Sequence, residues 1–246
     1  DRESKEILVV LVCGNTVYWH PTTTRQNPNR VSVMRSLDGG KTWKLQEITE
    51  QIYSLFDDAP DGCVQSCFVA SGQMFQSRTI KVGSHYRIYA ALAARPNGNR
   101  VIYSDDFGHT WHALGGPDAL PVPNGDEPKC EELPDGRVVI SSRAWGGRYF
   151  NIYEYTDIAS GAGAWGEVAG SGKRVNGCAS LENACNGELL IFTAGKTDSA
   201  FTQHSIPAIG RFHNEIVGIS GAGCGFHFLY SCIRLAVAEI FQHRAG

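Results

Sequence analysis

Ser36-Leu37-Asp38-Gly39-Gly40-Lys41-Thr42-Trp43 returns in frame as Ser104-Asp105-Asp106-Phe107-Gly108-His109-Thr110-Trp111. Both copies fit S-x-D-x-G-x-T-W, so five positions match at fixed spacing. Each copy follows a β-rich run, Val31–Arg35 in the first case and Arg100–Tyr103 in the second. Each residue type has a task in a tight hairpin. Ser and Asp side chains accept from nearby backbone N–H groups and build the turn. Gly supplies a positive φ where the chain reverses. Thr and Trp open the next strand, and the indole buries a large face against a neighbouring sheet. A degraded third copy runs from Tyr155-Thr156-Asp157 to Trp165. A hairpin design used more than once in one chain fixes the architecture as a set of similar sheets.

The strand candidates between these turns agree with that reading. They are Ile7–Cys13, Val31–Arg35, Gln65–Ala70, Arg87–Ala93, Val101–Ser104, Arg137–Ser142, Tyr149–Tyr155 and Glu188–Thr193. Turn clusters such as Pro96-Asn97-Gly98, Pro123-Asn124-Gly125 and Pro134-Asp135-Gly136 separate them. No long amphipathic helix precedes residue 230. The pattern is all-β, and the hairpin repeat favours a propeller over a sandwich.

Composition sets outer bounds. With 42% hydrophobic and 19% charged residues in 246, the chain can bury a sizeable core. A formal net charge of −3 gives no reason to propose nucleic acid or an anionic membrane as partner. No apolar stretch is long enough to span a bilayer. The eight cysteines, at 13, 63, 67, 130, 178, 185, 224 and 232, lack paired metal-ligand spacing and read as small core residues. Asp1-Arg-Glu-Ser-Lys-Glu leads straight into the first strand without a signal peptide, so the chain is expected to start inside a domain.

The repeated octapeptide resembles the Asp-box of sialidases and related β-propellers. That resemblance makes Ser36, Asp38, Gly40, Thr42, Trp43, Ser104, Asp106, Gly108, Thr110 and Trp111 fold residues, because the family keeps its boxes away from the catalytic face. It implies a six-bladed β-propeller of the sialidase type. At roughly 40–60 residues per blade this chain supplies about four blades, and it is therefore expected to be a piece of a longer protein. Residues 1–200 read as the partial propeller and 201–246 as a divergent tail, either an altered reading frame or a truncated blade.

A second resemblance lies in Gly125-Asp-Glu-Pro-Lys-Cys-Glu-Glu132-Leu-Pro-Asp-Gly-Arg-Val-Val-Ile-Ser-Ser-Arg143-Ala-Trp-Gly-Gly-Arg148. It is similar to the central segment of bacterial exo-α-sialidases, in the style of those from gut Bacteroidetes. Carried over by position, Glu132 is the glutamate that hydrogen-bonds the catalytic tyrosine, and Arg148 is one of three arginines that hold the substrate carboxylate. Sialic acid bears a carboxylate on its anomeric carbon, which a planar guanidinium can grip in a bidentate way. The same charge would repel a carboxylate nucleophile, so the family uses a tyrosine instead. With an intrinsic pKa of about 10, that tyrosine needs a base. Two alternatives stay open: Glu131 and Glu132 as solvated charges before a turn, with Glu131 the more solvent-facing, and Arg143 in place of Arg148. Trp19, Gln76, Trp145 and Tyr149 are further candidates for the pocket lining.

The resemblance also implies what the segment lacks. The first arginine and the acid/base Asp are expected to precede residue 1. Gln203-His-Ser-Ile-Pro-Ala-Ile-Gly-Arg211 makes Arg211 a candidate third arginine, and Tyr230 has the wrong context for a nucleophile. The expected function is exo-α-sialidase, acting on sialylated glycoproteins, glycolipids or oligosaccharides with retention, without metal or other cofactor, in a secreted, periplasmic or cell-surface setting. The alternatives are a non-catalytic Asp-box propeller and a degenerate sialidase that binds sialylated glycans.

Overall fold

A computed structural model describes residues 1–14, 16–60, 63–69, 74–96, 98–144, 147–170, 187–193 and 215–221. The described chain is all-β apart from one short helix. The first sheet holds β1 (Ile7–Cys13), β2 (Arg30–Ser36) and β3 (Lys44–Glu47), in that order. Helix α1 (Thr49–Tyr53) leads out of it. The second sheet takes β4 (Ser66–Val69), β5 (Phe75–Val82), β6 (His85–Arg95), β7 (Gly98–Ser104) and β8 (His112–Ala113). There β4 and β5 pair in turn along β6 as one interrupted strand. The third sheet follows with β9 (Asp126–Glu132), β10 (Val138–Ala144), β11 (Gly147–Asp157) and β12 (Ala162–Trp165), while β13 (Ala169–Gly170) pairs β11. A further hairpin joins β14 (Gly187–Thr193) to β15 (Glu215–Gly221).

Each of the first three sheets is an antiparallel meander, and successive sheets stack face to face. One apolar layer lies between the first two sheets, with Val31, Val33, Ile88, Leu92 and Ile102 meeting Ile52 and Phe56 from the connecting segment. A second layer lies between the second and third sheets, with Tyr89, Val101, Tyr103, Val138, Ile140 and Tyr153. This is the blade-on-blade arrangement of a β-propeller. Alternation explains the layers: β1 sends Leu8 and Val10 to the first layer and leaves Ile7 and Val9 outside.

The boxes sit where the repeat requires, in the β2–β3 and β7–β8 turns. The hydrogen bonds of their Ser, Asp and Thr side chains are the same twice over. Ser36 Oγ donates to Asp38 Oδ1 at 2.8 Å and accepts from the Gly40 N–H at 2.8 Å. Asp38 also accepts from the N–H of Lys41 and Thr42 and from the Thr42 hydroxyl. Ser104, Asp106, Gly108, His109 and Thr110 repeat the set. Asp157, in the β11–β12 turn, accepts from the Ala159 N–H and the Ser160 hydroxyl, so the degraded copy occupies the equivalent place in the third sheet.

The boxes also bolt neighbouring sheets together. Arg35 Nη1 donates to Glu6 at 2.7 Å and to the Phe107 carbonyl of the second box at 2.8 Å. A Cβ on Gly108 would stand 2.6 Å from Leu8, so only glycine lets the first sheet approach this turn. Arg87 is fully buried and grips Asp105 with two bonds of 2.6 and 2.8 Å. Its guanidinium lies 4.5 Å from the Tyr103 ring centre and 5.6 Å from that of Tyr155, which joins the second sheet to the third.

Two expectations change here. Strands β3, β5, β8, β9, β12, β13 and β15 were not in the sequence-based set. Most are short or polar, and β9 reads Asp-Glu-Pro-Lys-Cys-Glu-Glu, whose charges hide an edge strand paired with β10. Of the tail expected over 201–246, residues 215–221 form β15 and the rest lies outside the described residues.

Candidate active site

The two ends of the third sheet differ in character. In the β9–β10–β11 register Val138 faces Glu132 on one side and Tyr153 on the other. From Tyr153 the chain runs on to the Asp157 turn, so Glu132 lies at the Asp-box end. Arg143 faces Asp126 and Arg148 at the opposite end. Five residues of strand separate the levels, about 17 Å at the rise of an antiparallel strand.

Glu132 is 1% exposed and its carboxylate is fully engaged. It accepts from the hydroxyls of Ser77 at 2.5 Å and Thr79 at 2.7 Å, and from the Arg78 N–H at 2.5 Å. All three donors come from β5, where the pairing with β6 shifts register between Gln76 and Lys81. Such a carboxylate fastens two sheets. Glu132 and Arg148, expected to serve one substrate, stand at opposite ends of the blade, with Glu132 at the end that holds the boxes. The solvated-charge alternative fails for the same residue. Glu131 is the less buried member, with a side chain 14% exposed, paired with Arg78 at 3.0 Å. Burial raises its carboxyl above the ordinary range despite that partner.

At the other end one arginine meets two carboxylates. Arg143 Nη1 contacts Glu127 Oε2 at 2.8 Å and Asp126 Oδ2 at 3.6 Å. The arginine is 41% exposed at its side chain and Glu127 26%, so the pair reaches solvent. A bulge between Ser142 and Arg143 re-aims the arginine, a device that recurs beside active sites. Arg148 stands opposite Arg143 in the β10–β11 register. Gly125 allows the close approach, since a Cβ there would meet Asn99 Oδ1 at 2.2 Å and Ser142 Oγ at 2.5 Å.

Tyr18, on the β1–β2 connection, joins this end. Its ring packs edge-on against Phe68 at 4.7 Å and lies under the Arg95 guanidinium at 5.8 Å. Burial and the nearby Asp126 charge push its hydroxyl up to about 12, so it stays a neutral donor. Of the other lining candidates, Trp19 is exposed on the same connection. Gln76 binds Asp1 at 2.8 Å on the strand that holds Glu132, away from Arg143. Tyr149 packs against the second apolar layer, whereas Trp145, Arg211 and Tyr230 lie outside the described residues.

Sequence reasoning passed over Glu127. The signal was present, for Glu127 and Arg143 are separated by the same sixteen residues as Glu132 and Arg148. Strand register decides between them. The boxes, by contrast, behave as turn residues. Asp38 is held down to about 2, chiefly by the Thr42 hydroxyl and N–H and by Ser36. For Asp106 burial acts upward, but the donors from Thr110 and Ser104 prevail and lower it.

Among the described residues no helix is long and apolar enough to cross a membrane. The BNR/Asp-box repeat model matches residues 102–113. A sialidase of Micromonospora viridifaciens is 37% identical over 130 residues, which cover 50% of this chain and 18% of that protein. The chain thus spans under a fifth of the curated relative's length. Solved structures with a similar course include the intramolecular trans-sialidase from Ruminococcus gnavus, at 23% identity and a TM-score of 0.42, covering 58% of this chain and 27% of that one. The Trypanosoma rangeli sialidase overlaps 77% of this chain and 30% of its own at 17% identity and a TM-score of 0.48. The chain carries the Asp-box repeat and is similar over 130 residues to a sialidase.

Proposed function

We propose that the chain is part of an exo-α-sialidase whose substrate end is the one bearing Arg143, Arg148, Glu127 and Asp126. The observation that carries this is the solvent-reaching Arg143 paired with the Glu127 carboxylate, on the end opposite the boxes. A guanidinium fork is the natural partner of a substrate carboxylate. In this reading Glu127, fixed by Arg143, replaces Glu132 as the base that takes the proton of a tyrosine nucleophile. Attack on the anomeric carbon breaks the glycosidic bond, the aglycone leaving with a proton from the acid/base Asp, and the resulting glycosyl-tyrosine is opened by water with net retention. The tyrosine, the acid/base Asp and the remaining arginines would come from outside the described residues, within a six-bladed ring. Glycoproteins, glycolipids or oligosaccharides ending in sialic acid are the substrates this implies, met outside the cell or in the periplasm.

A second reading, binding without cleavage, draws on the β1–β2 connection. From Gly14 to Asn29 this long loop at the substrate end holds no Asp or Glu, so it offers no carboxylic acid to a leaving group. Hydrolysis of a fluorogenic α-sialoside separates the readings. Turnover that Glu127→Gln abolishes and Glu132→Gln retains supports the enzyme. Sialic acid binding without turnover supports the second reading, and neither binding nor turnover contradicts both.

A further inference from the structure

The β1–β2 connection holds Trp19 73% exposed, the second most exposed large apolar side chain among the described residues after Leu37. Loops that leave an indole in water are usually slack, but this one is tied down. Thr23, itself buried, donates its hydroxyl to the Val17 carbonyl at 2.7 Å, and the His20 N–H reaches the same carbonyl at 3.1 Å. Ser66 Oγ donates to the Tyr18 carbonyl at 2.8 Å. Arg95 donates to the carbonyls of His20 and Thr23 while covering the Tyr18 ring. Tyr18 and Trp19 are the central residues of the turn that the His20–Val17 backbone bond closes: one ring is packed against Phe68 near Asp126, and the other is presented to solvent. Asp126 in turn pairs with Arg143.

We infer that Trp19 is a stacking platform for the sugar that carries the sialic acid, a subsite for the leaving group rather than for the sialic acid itself. The inference rests on the sialidase reading of the Arg143 end. A hexopyranose offers one face of C–H bonds, and an indole is the side chain best matched to it in area and polarity. Because the loop is already ordered, binding spends little on conformational entropy. The anionic sugar at Arg143 and the neutral sugar at Trp19 would then be held on separate parts of one end of the fold.

Two ligands test this by calorimetric or NMR titration of the chain: N-acetylneuraminic acid alone, and a trisaccharide in which it caps a neutral disaccharide. The wild type should bind the trisaccharide about tenfold more tightly, the scale of one aromatic contact. Trp19→Ala should erase that advantage without changing monosaccharide affinity, and Trp19→Phe should restore most of it. A trisaccharide no tighter than the monosaccharide, or an advantage that survives Trp19→Ala, overturns the platform and leaves the sialidase reading standing. Failure of the wild type to bind either ligand removes that reading and the platform with it.

Discussion

Glu127 Oε2 lies 2.8 Å from Arg143 Nη1 across a bulge in the β9–β10 pair, at the end of the third sheet farthest from its box-like turn. The nearby Glu132, five residues along the same strand, is buried among β5 donors at the other end. A strand thus carries two glutamates to opposite fates, one open to solvent beside an arginine and one sealed between sheets.

The sealed glutamate should matter to stability. Removing it leaves the Ser77 and Thr79 hydroxyls and the Arg78 N–H without their shared acceptor. Glu132→Ala should lower the unfolding free energy by about 3 kcal/mol, read from the urea midpoint. An unchanged midpoint would mean that this carboxylate does not fasten β5 to β9.

Arg87 should prove costlier still. Its buried guanidinium is matched by Asp105 and by two tyrosine rings. Asp105→Ala strands that charge and should cost about 3–5 kcal/mol. Arg87→Met, which removes the charge and keeps volume, should cost less. Equal losses in the two variants would argue against an uncompensated charge as the cause.

The two boxes should not be equivalent. Trp111 is 3% exposed while Trp43 is 40% exposed, so the second turn is wedged between sheets and the first lies at the surface. Asp106→Ala should cost about 2 kcal/mol, and Asp38→Ala distinctly less, in thermal unfolding of the two variants. The reverse order would mean that sheet contacts at the second box contribute nothing.

Acid should unfold the chain partly through these turns. Both box aspartates have folded pKa values below the unfolded one, Asp38 at about 2. Such groups contribute stability that is complete above the unfolded value, near 4, and that disappears as pH falls toward the folded value. Denaturant midpoints should therefore drop from pH 4 to pH 2, and less steeply in a chain carrying Asp38→Asn and Asp106→Asn. A slope equal to that of the wild type would remove the boxes from the acid transition.

How far the sequence reaches can be judged from particular residues. Ile7–Cys13 was legible as a strand to its last residue, and the two boxes foretold where the sheet turns lie, because both signals are local. The candidate site depended on register, which is not local. Two Glu-Arg pairs share a spacing of sixteen, and only the alignment of β9 with β10 and of β10 with β11 brings Glu127 rather than Glu132 to the arginines. Tyr18 was missed because its tie to Asp126 joins positions more than a hundred residues apart.

The most direct test is to titrate isotope-labelled chain with N-acetylneuraminic acid and follow the backbone amides by NMR. The account predicts shifts concentrated at Asp126, Glu127 and Arg143 to Arg148, and their loss in Arg143→Ala. Shifts centred on Ser77, Thr79 and Glu132, or none in the wild type, would contradict it.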